Sequence, residues 1–161
     1  MGTAFNFVHL LDEMAARGRS IQLPPGSQAL ETGGYKGRAR QMPKSELHSL
    51  ITTCLGIQPD RIVSEYGMSE LSSQAYDRAV PSSRLFHFPP WARAQVISPE
   101  NGCEVREGET GLLRIFDLAN VRSVLAIQTE DLAIRRAGGF ELLGRAPNAE
   151  ARGCSLMAVN S

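Results

Sequence analysis

Residues 43–67, PKSELHSLITTCLGIQPDRIVSEYG, hold a helix signal and a strand signal back to back. Leu47, Leu50, Ile51, Cys54 and Leu55 recur at helical spacing and line one stripe, behind Pro43 and ahead of Gly56, a natural C-terminal stop. Arg61-Ile62-Val63-Ser64-Glu65 then reads as a strand that ends at Tyr66-Gly67. The alternation extends toward the N-terminus. Phe7 to Leu11 and Met14 to Arg17 carry apolar residues at helical spacing, stopped by Gly18. Ile21-Gln22-Leu23 reads as a short strand cut by Pro24-Pro25-Gly26, and Ala29-Leu30-Glu31-Thr32 runs into Gly33-Gly34. Helix alternating with strand predicts an α/β layer with largely parallel pairing.

After Asp77 the pattern changes to strand-like runs at 93–98, 111–117, 132–136 and 140–143. Turn signals separate them at Pro99-Glu100-Asn101-Gly102, at Glu107 to Gly111 and at Ala137-Gly138-Gly139. This half is expected to be a small antiparallel β subdomain, either a sheet or a distorted barrel. Residues 77–91, rich in Pro, Ser and Arg, read either as a boundary between the halves or as a surface loop within one unit. The expected division is an α/β part over 1–76 and a β-rich part over 77–161.

Composition excludes several classes. The 161 residues suit one domain with a real core. Seventeen Lys and Arg balance seventeen Asp and Glu, so no general electrostatic pull draws the chain to nucleic acid or an anionic membrane. Apolar runs are too short for a membrane-spanning helix, and Asp12 and Glu13 interrupt the N-terminal segment, which therefore does not read as a secretory signal. Cys54, Cys103 and Cys154 are odd in number and widely spread, which argues against a disulfide framework and for a reduced, cytoplasmic setting. His9, His48 and His87 show no metal-ligand spacing, and no Cys-x-x-Cys occurs.

Four short segments carry the chemistry: Glu31-Thr32-Gly33-Gly34, Glu65-Tyr66-Gly67-Met68-Ser69-Glu70-Leu71, Thr129-Glu130-Asp131 and Leu143-Gly144-Arg145. Their order and spacing resemble the adenylate-forming superfamily of acyl-CoA synthetases, luciferases and peptide-synthetase adenylation domains. The longer stretches Glu31 to Arg38, Tyr66 to Gln74, Asp117-Leu118-Ala119-Asn120 and Arg152-Gly153-Cys154-Ser155-Leu156 resemble its acyl-protein synthetase (LuxE) branch. The resemblance runs from about residue 20 to the end. It implies the C-terminal half of an enzyme that uses ATP and Mg²⁺ to activate a fatty acid, or another carboxylic acid, as an acyl-adenylate. The acyl group would then pass to a cysteine thioester and on to an acyl-CoA reductase-type protein partner.

The same resemblance implies roles for particular residues. Gly33 and Gly34 would border the adenine, because residues without a Cβ let backbone approach a flat ring. Tyr66 would stack on the purine, Gly67 would permit a tight turn, and Ser69 would offer a hydroxyl to phosphate where threonine is commoner. Glu70 would hold Mg²⁺, a hard cation that takes carboxylate oxygen and bridges phosphates; the plainer alternative is a helix start with Ser69 as N-cap. Asp131 would accept the ribose hydroxyls, and Arg145 would add a ribose or phosphate contact, although each alone also suits a surface ion pair. Glu130 stands where the wider superfamily has glycine. Cys154 would be the acyl acceptor, with Arg152 lowering its thiol pKa and Gly153 freeing the tail. Cys54 belongs to a helix stripe, and Cys103 is unassigned.

The superfamily's Ser/Thr/Gly-rich phosphate loop is not found upstream of Gly33, nor is a following domain with a catalytic lysine. The chain by itself is therefore expected to activate fatty acids poorly or not at all, and to self-associate through surface meant for the missing half. Two other readings remain open from sequence: a ligase of the phenylacetate-CoA or coenzyme F420 adenylating type, and a non-catalytic nucleotide-binding or partner-docking fragment.

Overall fold

The computed structural model describes residues 1–33, 42–80 and 83–147. The chain runs β1 (Gly2–Thr3), α1 (Ala4–Ala16), β2 (Ala29–Thr32), α2 (Lys44–Leu55), β3 (Ile62–Tyr66), β4 (Ala75–Val80), β5 (Ser83–His87), β6 (Ala92–Ile97), β7 (Thr110–Asp117), β8 (Ala126–Arg136) and β9 (Gly139–Arg145). These nine strands form one sheet in the order β1-β2-β3-β4-β5-β9-β8-β7-β6. Only β1, β2 and β3 pair in parallel; every later pairing is antiparallel. An α/β layer followed by antiparallel β structure is thus present. The order is linear, so among the described residues the second half is an open sheet and not a closed barrel.

Local sequence explains the helices. Thr3 Oγ1 accepts the Asn6 backbone N–H at 3.1 Å and caps α1. Ala4, Val8, Leu11 and Met14 then form its buried stripe. Helix α2 buries Leu47, His48, Ile51 and Leu55 and closes at Gly56 in the left-handed conformation. Both stripes meet Ala29 of β2 and Ile62 of β3 in one apolar cluster. Ile21-Gln22-Leu23, expected as a strand, is not one. Its alternation serves another purpose: the N–H groups of Ile21 and Leu23 donate to the carbonyls of Cys54 and Leu55, satisfying the open end of α2.

Residues 77–91 hold β5 and most of β4, where the sequence suggested a boundary or a loop, and β4 itself spans the expected division after residue 76. The reason is a buried charge. Asp77 is 0% exposed and accepts Lys44 Nζ at 2.7 Å and the Ser64 N–H at 2.6 Å, with Arg84 Nη1 at 3.4 Å. Arg84 also donates to the carbonyls of Ile62 and Pro59. One carboxylate therefore ties the start of α2 to β3, β4 and β5. Burial alone would raise the Asp77 pKa, but Lys44, the Ser64 N–H and Arg84 hold it below the ordinary carboxylate range.

Sheet continuity between the halves rests on a narrow junction. β5 and β9 pair only through Phe86 and Phe140. Gly139 permits it: a Cβ there would stand 2.6 Å from the Phe86 carbonyl oxygen. Around this junction lies a second apolar cluster, with Tyr66, Phe86, Leu113, Ile115 and Phe140.

Asp77→Ala leaves Lys44 and Arg84 half-buried without their anion, so it should destabilise the protein by about 3–5 kcal/mol. Chemical denaturation measures this; a loss below ~1 kcal/mol would show that the network does not organise the sheet.

Candidate active site

Strand β3 delivers Tyr66 to the junction. Its ring is 8% exposed and lies edge-on to Phe86, Phe88 and Phe140, with centroids 6.2, 6.4 and 5.7 Å away. Its hydroxyl leaves this cage in one direction and donates to Asp131 Oδ2 at 2.7 Å, joining β3 to β8 across 65 positions of chain. Burial foremost, then the Asp131 charge and hydrogen bond, raise the Tyr66 pKa well above the ordinary phenol. Tyr66 is therefore a fixed proton donor to that carboxylate.

Two bulges aim the carboxylate. Between the pairs Leu112↔Leu132 and Arg114↔Gln128, residues 129–131 of β8 stand opposite Leu113 alone. Thr129 Oγ1 stitches the bulge, donating to the Leu113 carbonyl at 2.8 Å and accepting the Asp131 N–H at 3.1 Å. On the other side, Leu143 of β9 is the extra residue between Leu132↔Gly144 and Ala133↔Leu142. Gly144 follows it at φ +117°, a conformation that strains any residue with a Cβ. Asp131, the last residue of the first bulge, pairs across the strands with Arg145, beyond the second. Arg145 Nη2 contacts Glu130 Oε2 at 2.7 Å, and its Nε lies 4.0 Å from Asp131 Oδ1. Asp131 keeps 19% of its side chain open beside this guanidinium.

The turn after β3 carries Ser69 and Glu70, both exposed. Ser69 Oγ donates to Glu70 Oε2 at 3.1 Å. The end of β7 meets this turn: Asp117, 0% exposed, accepts the N–H of Ser72 (3.0 Å), the N–H and Oγ–H of Ser73 (both 2.8 Å) and the N–H of Ala119 (3.0 Å). Trp91 Nε1 donates to Ser73 Oγ from the far side. Burial would raise the Asp117 pKa, yet the Ser73 hydroxyl and the three N–H groups more than offset it and hold the carboxyl below its ordinary range.

The whole chain, residues 1–161, matches the family model described as "Acyl-protein synthetase, LuxE". The chain belongs to the LuxE acyl-protein synthetase family. Among solved structures this LuxE-family chain is similar to McyG A-PCP complexed with phenylalanyl-adenylate, at 17% identity over 91% of this chain and 30% of that one, TM-score 0.65. It is similar to apo MatB from Rhodopseudomonas palustris, at 18% identity over 92% of this chain and 31% of that one, TM-score 0.60. It is also similar to a long-chain-fatty-acid-CoA ligase from Archaeoglobus fulgidus, at 15% identity over 90% of this chain and 33% of that one, TM-score 0.61. The LuxE-family chain therefore has the fold of part of an adenylate-forming enzyme and spans about a third of the length of these proteins. No curated protein matches its sequence.

In this LuxE-family fold, the residues singled out from sequence fall into three groups. Tyr66, Asp131 and Arg145 form one connected chain of contacts. Gly33 follows β2, whose Thr32 pairs with Glu65, so it lies beside Tyr66 at the same end of the parallel strands as Gly67, Ser69 and Glu70. Ser69 and Glu70 make side-chain contact with each other and with none of the first group among the hydrogen bonds described. Gly34 and Cys154 lie outside the described residues. Tyr66, read as a stacking platform, instead has its ring enclosed by phenylalanines and its hydroxyl engaged.

A Cβ placed on Gly33 would meet no atom of the described residues within 4 Å, leaving room beside it for a flat ring. No cluster of three or more His, Cys, Asp or Glu stands ready for a metal among the described residues. The lone Glu70 carboxylate suits a Mg²⁺ that takes its other ligands from water and phosphate. A cleft of about 510 Å³ opens elsewhere, between α2 and Arg84, and none of the residues proposed from sequence lines it. Likewise, no helix among the described residues is long and apolar enough to cross a membrane.

Sequence reasoning quoted Asp117 and Thr129 within motifs but gave neither a role. For Thr129 a signal existed, since two acids in succession break the alternation of β8 and mark a bulge. For Asp117 the donors lie some 45 positions away, and no local pattern announces them.

The pKa of folded Asp117 lies below that of a free aspartate, which is about 3.9, so its contribution is complete above about pH 5 and is lost as pH falls through the folded value. Asp117→Asn should therefore lose about 2–3 kcal/mol at neutral pH. Melting curves from pH 6 to 2 should show a shallower acid limb than the parent protein. An unchanged limb would mean that the carboxylate is not held ionised by these donors.

Proposed function

We propose that the protein takes part in ATP-dependent activation of a carboxylic acid, a fatty acid in the first instance, followed by transfer of the acyl group to the Cys154 thiol. The observation that carries the reading is the Tyr66–Asp131–Arg145 chain at the end of the parallel strands, in a LuxE-family chain with an adenylate-forming fold. The ATP-bound structure of MatB, which shares the fold at 17% identity and TM-score 0.57, supports ATP as the nucleotide.

Asp131 would bind the ribose. Tyr66 occupies one of its oxygens, and the other, 4.0 Å from Arg145 Nε, would accept a ribose hydroxyl. Arg145, held by Glu130, would place positive charge beside ribose or phosphate without collapsing onto Asp131. The open backbone at Gly33 would admit the adenine edge. Ser69 would turn its hydroxyl from Glu70 to a phosphate oxygen, freeing Glu70 to hold Mg²⁺. When bound, that ion neutralises charge growing on the phosphates.

Two displacements complete the proposed chemistry. A carboxylate oxygen of the acid attacks the α-phosphorus of ATP, an O–P bond forms, and pyrophosphate leaves. The Cys154 thiolate then attacks the acyl carbon, forming a C–S bond as AMP departs with the C–O electron pair; the thiol proton passes to solvent. Adenylation is needed because AMP leaves readily where a carboxylate oxygen does not. A reducing cytoplasm would keep the thiol free, and an acyl-CoA reductase-type protein would consume the thioester.

ATP–pyrophosphate exchange in the intact enzyme that contains this portion, stimulated by long-chain carboxylic acids, is the direct test. Absence of exchange with every acid tried would overturn the reading. Cys154→Ser should leave exchange intact and abolish covalent labelling by radioactive acid; labelled coenzyme A in place of labelled protein would point to a CoA ligase instead. Asp131→Asn should weaken AMP binding by about tenfold in calorimetry, the loss expected for one charge-assisted hydrogen bond.

A further inference from the structure

The turn that carries Glu70 is built in an unusual way. The Glu70 carboxylate is exposed and, among the described residues, hydrogen-bonds Ser69 alone, while its backbone is held from a distant strand end. Asp117 fixes Ser72 and Ser73, as described above. Asn120, 8% exposed, fixes Glu70 itself: its Nδ2 donates to the Glu70 carbonyl at 2.8 Å and to the Val124 carbonyl at 3.1 Å. Its Oδ1 accepts Ser72 Oγ–H at 2.6 Å. Asn120 thus uses both N–H groups and its carbonyl oxygen, two of these three bonds falling on the turn. The Asn120 N–H returns to the Asp117 carbonyl at 3.1 Å, so the two side chains sit on one closed turn after β7.

We propose that Asp117 and Asn120 are positioning residues that hold the Glu70 carboxylate in the orientation a divalent cation requires. This rests on the reading that Glu70 binds the cation accompanying ATP. A single carboxylate gains affinity for Mg²⁺ chiefly when its direction is set in advance, because the ion demands near-octahedral geometry and gives up its waters reluctantly. Glu70 has no rigid helix or strand beneath it. The clamp supplies that rigidity through the main chain, while among the hydrogen bonds described the carboxylate meets Ser69 alone.

Mn²⁺ binding followed by paramagnetic resonance, with ATP present, tests the clamp without turnover. Ser72→Ala removes one donor from Asn120, and Asn120→Asp removes both donations to the carbonyls. Each should weaken Mn²⁺ in the ternary complex by about tenfold, the usual loss when a group supporting a metal ligand is removed. Ser72→Thr keeps the hydroxyl and should stay within about twofold of the parent protein. AMP affinity in the absence of metal should be unchanged in all three, since Tyr66, Asp131 and Arg145 are untouched. Amide hydrogen exchange should quicken at Ser69 to Ser72 and not in β7.

Glu70→Gln separates the two ideas. If Glu70→Gln loses Mn²⁺ while Ser72→Ala and Asn120→Asp retain it, the clamp is overturned and the cation site stands. If Glu70→Gln binds Mn²⁺ as the parent does, the cation site fails and takes the clamp with it. A matched loss of AMP and Mn²⁺ affinity in Ser72→Ala would indicate a general folding defect and also overturn the clamp. Should Asn120→Asp not fold, Ser72→Ala against Ser72→Thr decides the matter.

Discussion

The hydrogen bond from Tyr66 to Asp131 joins two structures with different pairing rules. On one side stands the last strand of a three-stranded parallel layer, packed under two helices. On the other stands a four-stranded antiparallel sheet, bulged where the carboxylate projects. The phenol belongs to the first by chain and to the second by packing, since its ring sits among Phe86, Phe88 and Phe140. Strand β3 therefore serves both apolar clusters, with Ile62 in one and Tyr66 in the other. A ligand that touches Asp131 addresses both halves at once.

Buried carboxylates do the long-range bracing. Asp77 and Asp117 are each wholly enclosed and each surrounded by donors, which is the condition under which a buried charge is tolerated. They differ in the kind of donor. Asp77 faces two cations and locks strand pairing, whereas Asp117 faces neutral N–H and O–H groups and locks a turn. The difference suits their places: cations at Asp117 would put positive charge under the turn that presents Glu70, and would compete for the carboxylate there.

Much of this was legible in the amino-acid order, and for identifiable reasons. Helix α2 has a complete stripe and a glycine stop, so its limits match the pattern of Leu47, Ile51 and Leu55. Strands β3 and β7 alternate cleanly enough to be seen. Ile21 to Leu23 misled because alternation over three residues does not distinguish a strand from a segment that caps a helix end. The hairpin of β4 and β5 was hidden because prolines and arginines suggest a loop, while its stability comes from Asp77 contacting residues far away in sequence. In the candidate site, residue types were readable from motifs, but the orientation of Tyr66 was not. Whether an aromatic side chain stacks on a ligand or packs inside is decided by three phenylalanines that no local pattern links to it.

The two bulges flanking Asp131 also impose a strict count on the chain. Side chains in a strand alternate with period two, so gain or loss of a single residue between Leu125 and Gly139 would exchange inward for outward along the whole ribbon, unless a bulge absorbed it. Both absorbers are already spent on aiming Asp131 and Arg145. Length variation in this family should therefore collect in the connection at Pro99–Gly102, and codon insertions or deletions at the Thr129–Asp131 segment should be among the least tolerated anywhere in the gene.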